Sequence, residues 1–110
     1  MTRVLLDEDV DVRFRLKLGP RVEVETVVFR GWKGMKNGEL LRAAAEHFDV
    51  FVTLDGNLPY QQNLGEHDLA VVVLRPRSQA LEHLEELVPG LERVLPTLSS
   101  GDVVEIRPPD

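Results

Sequence analysis

Two groups of acidic side chains directly follow apolar runs of the sequence. The first run ends in Leu6-Asp7-Glu8-Asp9, and the third ends in Thr53-Leu54-Asp55. If these runs are adjacent parallel strands, about 4.8 Å apart, Asp7 and Asp55 face each other outside the carboxyl ends of the strands, where open parallel sheets bind their ligands. Two carboxylates this close repel each other unless a cation or a shared proton compensates. The pair therefore predicts a site for a hard divalent cation.

Three further side chains are candidates for the same site. Glu39 is a third carboxylate at the start of a predicted helix, although a glutamate in a first helical turn is also favoured by the helix dipole alone. Asp9 and Asn57 lie within two residues of Asp7 and Asp55 in the sequence. The three histidines lie too far apart to show a metal-ligand spacing, so they suggest no rival site.

The elements that would position these acids are five short apolar runs that alternate with helical segments. This alternation is typical of βαβ units, and right-handed crossovers favour the strand order 2-1-3-4-5, with strands 1 and 3 adjacent. The second run alternates in polarity and predicts an edge strand, whereas the third and fourth predict strands covered on both faces. We expect an α/β fold: one three-layer domain, residues 1–110, with a mostly parallel, roughly five-stranded sheet. The runs are residues 4–6, 22–29, 50–54, 69–74 and 103–106.

The helical segments carry start and stop signals. Gly19-Pro20 ends the first, Asn37 is a candidate N-cap for the second, and Pro59 begins the third. Ser78 is a candidate cap for the fourth segment, in which Pro89 should break the helix. Three glycines around Trp32 predict a loop over residues 31–38. Helices are expected over residues 10–18, 37–48, 59–64 and 78–95.

Composition narrows the class of protein. With 43% hydrophobic residues in 110, the chain has room for one core, and without cysteine it has neither disulfides nor a thiolate metal site. No apolar run approaches the roughly 20 residues of a membrane span, and the N-terminal apolar segment is too short for a signal peptide. These features predict a soluble, cytoplasmic protein without a membrane partner.

The charge is unevenly distributed along the chain. The net charge of −6 argues against indiscriminate nucleic-acid binding, yet residues 13–36 hold seven bases and only two acids. Within that segment, Arg13 and Lys17 lie four residues apart on a predicted helix, which would place them on one face. Lys33 and Lys36 lie in the predicted loop with Trp32, for which two interpretations are open: the indole stacks on an unpaired base, or it folds back onto the core. These five side chains are the predicted nucleic-acid contacts, although they are equally consistent with an ordinary solvated surface.

Three motifs in order resemble a known family. They are Val4-Leu5-Leu6-Asp7-Glu8-Asp9-Val10, then Asn37-Gly38-Glu39-Leu40-Leu41, then the segment 50–58 with Thr53-Leu54-Asp55. Together they resemble the PIN-like domains of uncharacterised bacterial proteins often encoded in toxin-antitoxin pairs, over about residues 3–75.

The resemblance implies a Mg²⁺- or Mn²⁺-dependent ribonuclease with Asp7 and Asp55 as metal ligands. In similar proteins the acid of the second helix often occupies the position of Asn37, so Glu39 is the substitute in this chain. The partners implied are an RNA substrate, an antitoxin protein and a second copy of the chain. Such chemistry suits the residues, because divalent ions held by carboxylates both acidify a water and stabilise the charge that develops during phosphodiester hydrolysis.

Other interpretations remain open at this point. A phosphoacceptor receiver domain also has early acids and an aspartate that ends its third strand, but it needs a hydroxyl residue after strand 4 and a lysine after strand 5. This chain has Arg75 and Arg107 there. The Asp7-Glu8-Asp9 triplet also resembles the Asp-x-Asp of haloacid-dehalogenase phosphatases, without the Gly-Thr that follows it in that family. A further alternative is a catalytically inactive PIN-like module that binds a partner.

Overall fold

A computed structural model of the chain describes residues 1–109, which form an α/β fold with one five-stranded sheet. All neighbouring strands are parallel, and their order is β2-β1-β3-β4-β5. The order expected from the apolar runs is confirmed, with β1 adjacent to β3. The strands are β1 Thr2–Leu6, β2 Val22–Thr26, β3 Val50–Thr53, β4 Ala70–Leu74 and β5 Val103–Ile106.

Helical segments connect each strand to the next. Four are α-helical among the described residues: α1 Asn37–His47, α2 Leu58–Gln61, α3 Leu81–Glu85 and α4 Val88–Val94. Three are short 3₁₀ helices: Val12–Lys17, Leu64–Glu66 and Leu95–Thr97.

Side chains on the two faces of the sheet pack into separate cores, which makes three layers. Alternate residues of a strand point to opposite faces, so Val4 and Leu6 lie in one core and Leu5 in the other. The first core contains buried residues of α3, α4 and the 3₁₀ helix Val12–Lys17. The second contains the buried stripe of α1 together with Leu58 of α2. The fold is consistent with the three-layer arrangement expected of a PIN-like domain.

Burial of the strands follows their place in the sheet. Every residue of β3 and β4 is buried, as expected for strands with helices on both sides. The outer strands β2 and β5 are partly exposed, which confirms the edge position predicted for β2. The strand order reverses between β1 and β3, which lie inside the sheet rather than at its edges.

The first helix and the second strand differ from the predicted elements. The first helix is a 3₁₀ helix, in which the amide of Phe14 donates to the carbonyl of Asp11. The second strand stops at Thr26, because its hydroxyl accepts from the amide of Phe29 and its carbonyl accepts from Arg30, which turns the chain.

The predicted caps also shift. Lys36, not Asn37, is the N-cap of α1 and Asn37 is its first helical residue, so the loop ends before Gly38. Ser78 lies two residues before the cap of α3 and accepts from the amide of Ala80. The break near Pro89 is confirmed, because α3 ends at Glu85 and the proline lies in the first turn of α4.

Candidate functional site

Asp7 is held at the end of β1 by its neighbour on β3. Its amide continues the ladder by donating to the carbonyl of Val52 at 2.8 Å. The register pairs Leu6 with Val52, so the residue opposite Asp7 is Thr53. The Thr53 hydroxyl, fully buried, donates to Asp7 Oδ2 at 2.7 Å, and the amide of Glu8 donates to Oδ1 at 2.8 Å. Both oxygens of Asp7 are thereby oriented.

Asp9 joins the same hydroxyl from the turn that follows β1. The amide of Val10 donates to the carbonyl of Asp7 at 3.1 Å, which bends the chain back towards β3. Asp9 Oδ2 lies 3.5 Å from the Thr53 hydroxyl, and Oδ1 accepts from the amide of Leu54 at 3.3 Å. Two carboxylates thus converge on one buried oxygen. Because that hydroxyl has one proton, it favours Asp7, the nearer acceptor.

Burial and mutual repulsion perturb both acids. Burial raises the pKa of Asp7, against the opposing effect of the hydrogen bonds from Thr53 and Glu8. Burial and the charge of Asp7 raise the pKa of Asp9 to about 6. Asp55 adds a smaller repulsion to each. A cation would relieve this repulsion, because it favours the ionised carboxylates.

The sequence predicted that Asp55 faces Asp7 across the two strands. Asp55 instead lies two residues beyond Thr53, and Thr53 is the direct neighbour of Asp7. The amide of Asp55 donates to the Thr53 hydroxyl at 3.0 Å, and its carboxylate accepts from the amide of Asn57 at 2.9 Å. The carboxylate is partly buried, whereas Asn57 is exposed and meets Asp55 through its backbone. Asp55 thus acts on the two other acids through its charge. We name Asp7, Asp9 and Asp55, with Thr53 between them, the acid cluster.

Glu39 remains outside this hydrogen-bonded arrangement. It is exposed in the first turn of α1, and its side chain forms no hydrogen bond or ion pair with any of residues 1–109. The connection from β2 to β3 places the start of α1 near the carboxyl edge of the sheet, and one hydrogen bond, from the amide of Gly34 to Glu8 at 3.5 Å, ties the preceding loop to that edge. Glu39 is therefore near the edge without contacting the cluster.

The carboxylate oxygens of the acid cluster are the type of ligand that a hard divalent cation prefers. Among the described residues, no group of three or more His, Cys, Asp or Glu side chains is placed to hold a metal ion. Mg²⁺ commonly keeps several waters and binds proteins through one or two carboxylates plus substrate phosphates, so it does not require a closed protein cage. Asp7 and Asp9, whose carboxylates converge on the Thr53 hydroxyl, are the two that could hold it, with the charge of Asp55 nearby.

Two of the predicted RNA contacts form ion pairs with acidic side chains of the chain itself. They are Arg13 and Lys17. The guanidinium of Arg13 pairs with Asp11, with Nη2 at 2.7 Å from Oδ2, and Lys17 Nζ lies 3.2 Å from Glu85. The prediction that both bases share a face assumed an α-helix. In a 3₁₀ helix, with three residues per turn, residues four apart point about 120° apart. They do not form one basic face.

Trp32 packs against the protein, whereas the lysines of its loop are exposed. The indole meets the ring of Phe48 edge-on at 6.4 Å, and the guanidinium of Arg30 lies 5.3 Å from its centre. Phe48 precedes β3, so the indole extends away from the edge that carries Asp7. Lys33 and Lys36 form no ion pair with any of residues 1–109. The lysines remain candidates for RNA contact; the indole is already engaged.

Arg75 lies against the chain directly after the acid cluster, and the sequence interpretation did not include it as a site residue. It follows β4, and a Cβ added to Gly56 would come 2.5 Å from its Nη1, so the guanidinium lies against the residue after Asp55. The predicted strand order already made β3 and β4 neighbours. An arginine directly after β4 was the signal that could have revealed it.

Comparison of the chain with known protein families, curated proteins and solved structures finds no match. Within residues 1–109, no helix has the length and apolar character needed to cross a membrane.

Proposed function

We propose that this chain is a Mg²⁺- or Mn²⁺-dependent ribonuclease of the PIN-like type. The observation that supports it is the convergence of Asp7 and Asp9 on the buried Thr53 hydroxyl, with Asp55 two residues beyond. The cluster lies where the strand order reverses, which is the usual ligand position of an open parallel sheet. Three carboxylates that repel one another there are more readily explained as a cation site than as a source of stability.

The residues divide the work of phosphodiester hydrolysis among them. A bound divalent ion supplies an acidified water and stabilises the charge of the transition state. Asp7 and Asp9 would hold the ion, Asp55 would add its negative charge beside them, and Thr53 fixes the direction of Asp7. Without the cation the cluster repels phosphate, so metal dependence follows from electrostatics. Glu39 is proposed as a further acid that acts from the start of α1.

The approach of RNA requires a local positive field on a protein of net charge −6. Lys33 and Lys36 are exposed in the loop that leads into α1, so they are the proposed contacts at the rim of the site. If the chain is the toxin of a toxin-antitoxin pair, the antitoxin is a protein that covers this site, and the setting is the cytoplasm. A second copy of the chain is proposed as a further partner.

Cleavage of a mixture of structured RNAs tests the proposal. The wild-type protein, in Mg²⁺ or Mn²⁺, should degrade RNA, and EDTA or Asp7→Asn should abolish the cleavage. Asp68→Asn is the matched control: it removes one exposed carboxylate at the opposite edge of the sheet and should leave cleavage unchanged. Glu39→Gln tests the third acid separately.

The outcome that contradicts the proposal is equally concrete. Cleavage that persists in EDTA, or that is the same in Asp7→Asn as in wild type, would assign the activity to a contaminant. Absence of both cleavage and Mg²⁺ binding in calorimetry would identify the chain as an inactive binding module.

A further inference from the structure

Arg75 places a permanent positive charge against Gly56, the residue that follows Asp55 of the acid cluster. Its amide donates to the carbonyl of Ile106 at 2.8 Å, which fixes its backbone between β4 and β5. Its guanidinium lies against Gly56, where any side chain would displace it. Gly56 directly follows Asp55, so the cation and the carboxylates share one stretch of backbone.

The internal contacts of Arg75 leave most of its donors free. Nη2 donates to Glu105 at 3.2 Å, the one hydrogen bond of this guanidinium within residues 1–109. Nε is buried and has no hydrogen-bond partner among residues 1–109. Glu105 also pairs through its other oxygen with Arg107, at 2.9 Å. Because Glu105 has a second cation, and because exposed ion pairs contribute little stability, a structural pair does not account for Arg75.

A cleft of about 210 Å³ has Arg75 as part of its wall. Leu54 is part of its wall and also donates its amide to Asp9, so the cleft and the acid cluster meet at this residue. The volume is below the roughly 300 to 1,000 Å³ of pockets that enclose whole small ligands, which suits a single group such as a phosphate. The cleft is lined by Leu54, Leu74, Arg75, Pro76, Ser78 and Gln79.

We infer that Arg75 binds a phosphate group of the RNA strand in this cleft, next to the phosphate that is attacked at the acid cluster. The inference rests on the proposed function for the identity of the strand. A guanidinium presents a planar fork of N–H donors that matches phosphate oxygens. Arg13, Lys17 and Arg75 each have an acidic partner. Arg75 differs because its partner, Glu105, also pairs with Arg107 and because its guanidinium lies against Gly56, the residue after Asp55.

Binding of a 2′-O-methyl oligoribonucleotide, which resists cleavage, tests this inference by fluorescence anisotropy across a salt series in Mg²⁺. Arg75→Gln should weaken binding about tenfold and reduce the slope of log affinity against log salt by about 0.7, the value of one phosphate contact on a single strand. Arg107→Gln is the matched control, because it also removes one positive partner of Glu105, and the atoms nearest to Gly56 belong to Arg75 rather than to Arg107. It should leave the slope unchanged. Arg75→Lys keeps the charge, so it should retain the slope while losing part of the affinity.

The outcomes separate this inference from the proposed function. Equal effects of Arg75→Gln and Arg107→Gln, or an unchanged slope in Arg75→Gln, would overturn the inference even if the wild type cleaves RNA. An Arg75-dependent slope in a protein that cleaves nothing would support the inference and refute the nuclease. Thermal unfolding checks that Arg75→Gln folds. If it does not fold, the affinity of Arg75→Lys decides the question. Wild-type affinity in Arg75→Lys would overturn the role of the guanidinium fork.

Discussion

Replacement of Asp9 by asparagine should stabilise the metal-free protein at neutral and higher pH. The side chains have the same shape, so the asparagine oxygen can still accept from the amide of Leu54. Its amide nitrogen can donate to the Thr53 hydroxyl, 3.5 Å from the present Oδ2. What the substitution removes is a partly buried negative charge that Asp7 and Asp55 repel.

The size of the effect follows from the pKa of Asp9, which is raised from its ordinary value of 3.8 to about 6. At 1.36 kcal/mol for each pH unit, this corresponds to about 3 kcal/mol for a carboxylate shielded from water. Asp9 is only partly buried, so solvent screening reduces the expected gain to about 1 to 1.5 kcal/mol.

The raised pKa of Asp9 also determines how the stability advantage of Asp9→Asn changes with pH. Because the pKa is higher in the folded protein, folded Asp9 holds its proton more tightly than unfolded Asp9 does. The stability that protonated Asp9 contributes to the folded protein is therefore fully present below pH 3.8 and is lost as the pH rises through about 6. Above that pH the stability of the wild type no longer changes on account of Asp9. Since asparagine does not titrate, the advantage of Asp9→Asn should grow across this window.

Urea unfolding in EDTA, measured between pH 4 and pH 8, tests this prediction. Asp68→Asn is the control, because Asp68 is exposed and has no hydrogen-bond partner among the residues described; it should show little change across the window. A constant difference between Asp9→Asn and wild type from pH 4 to pH 8, or a less stable variant at pH 8, would refute the view that burial and repulsion act on Asp9.

Two further predictions concern the hydroxyl and the rim of the site. Thr53→Val should destabilise the protein by about 1 to 3 kcal/mol in urea unfolding, because it removes the donor to Asp7 and the acceptor for the amide of Asp55. Thr53→Ser is the control, because it keeps the hydroxyl. An equal loss of stability in both variants would mean that packing alone matters. Joint replacement of Lys33 and Lys36 by alanine should flatten the salt dependence of single-stranded RNA binding by about 1.4, the value of two phosphate contacts; an unchanged slope with intact cleavage would show that RNA enters from elsewhere.

Hydrophobic patterning in the sequence determined the sheet. Continuous apolar runs over β3 and β4 require cover on both faces, and right-handed crossovers with helices between the strands permit few strand orders. The adjacency of β1 and β3, and with it the presence of acids at one edge, followed from these local signals.

Only the tertiary structure decided which side chains meet. The register opposes Asp7 to Thr53 and leaves Asp55 two residues beyond, a difference that depends on backbone hydrogen bonds between strands far apart in sequence. Asp9 reaches the cluster because a turn bends back over β3, and Arg75 approaches Gly56 because β4 lies beside β3. Periodicity reports which face of an element is buried, but the contacts of a polar side chain beyond the end of a strand depend on how several chain segments pack together.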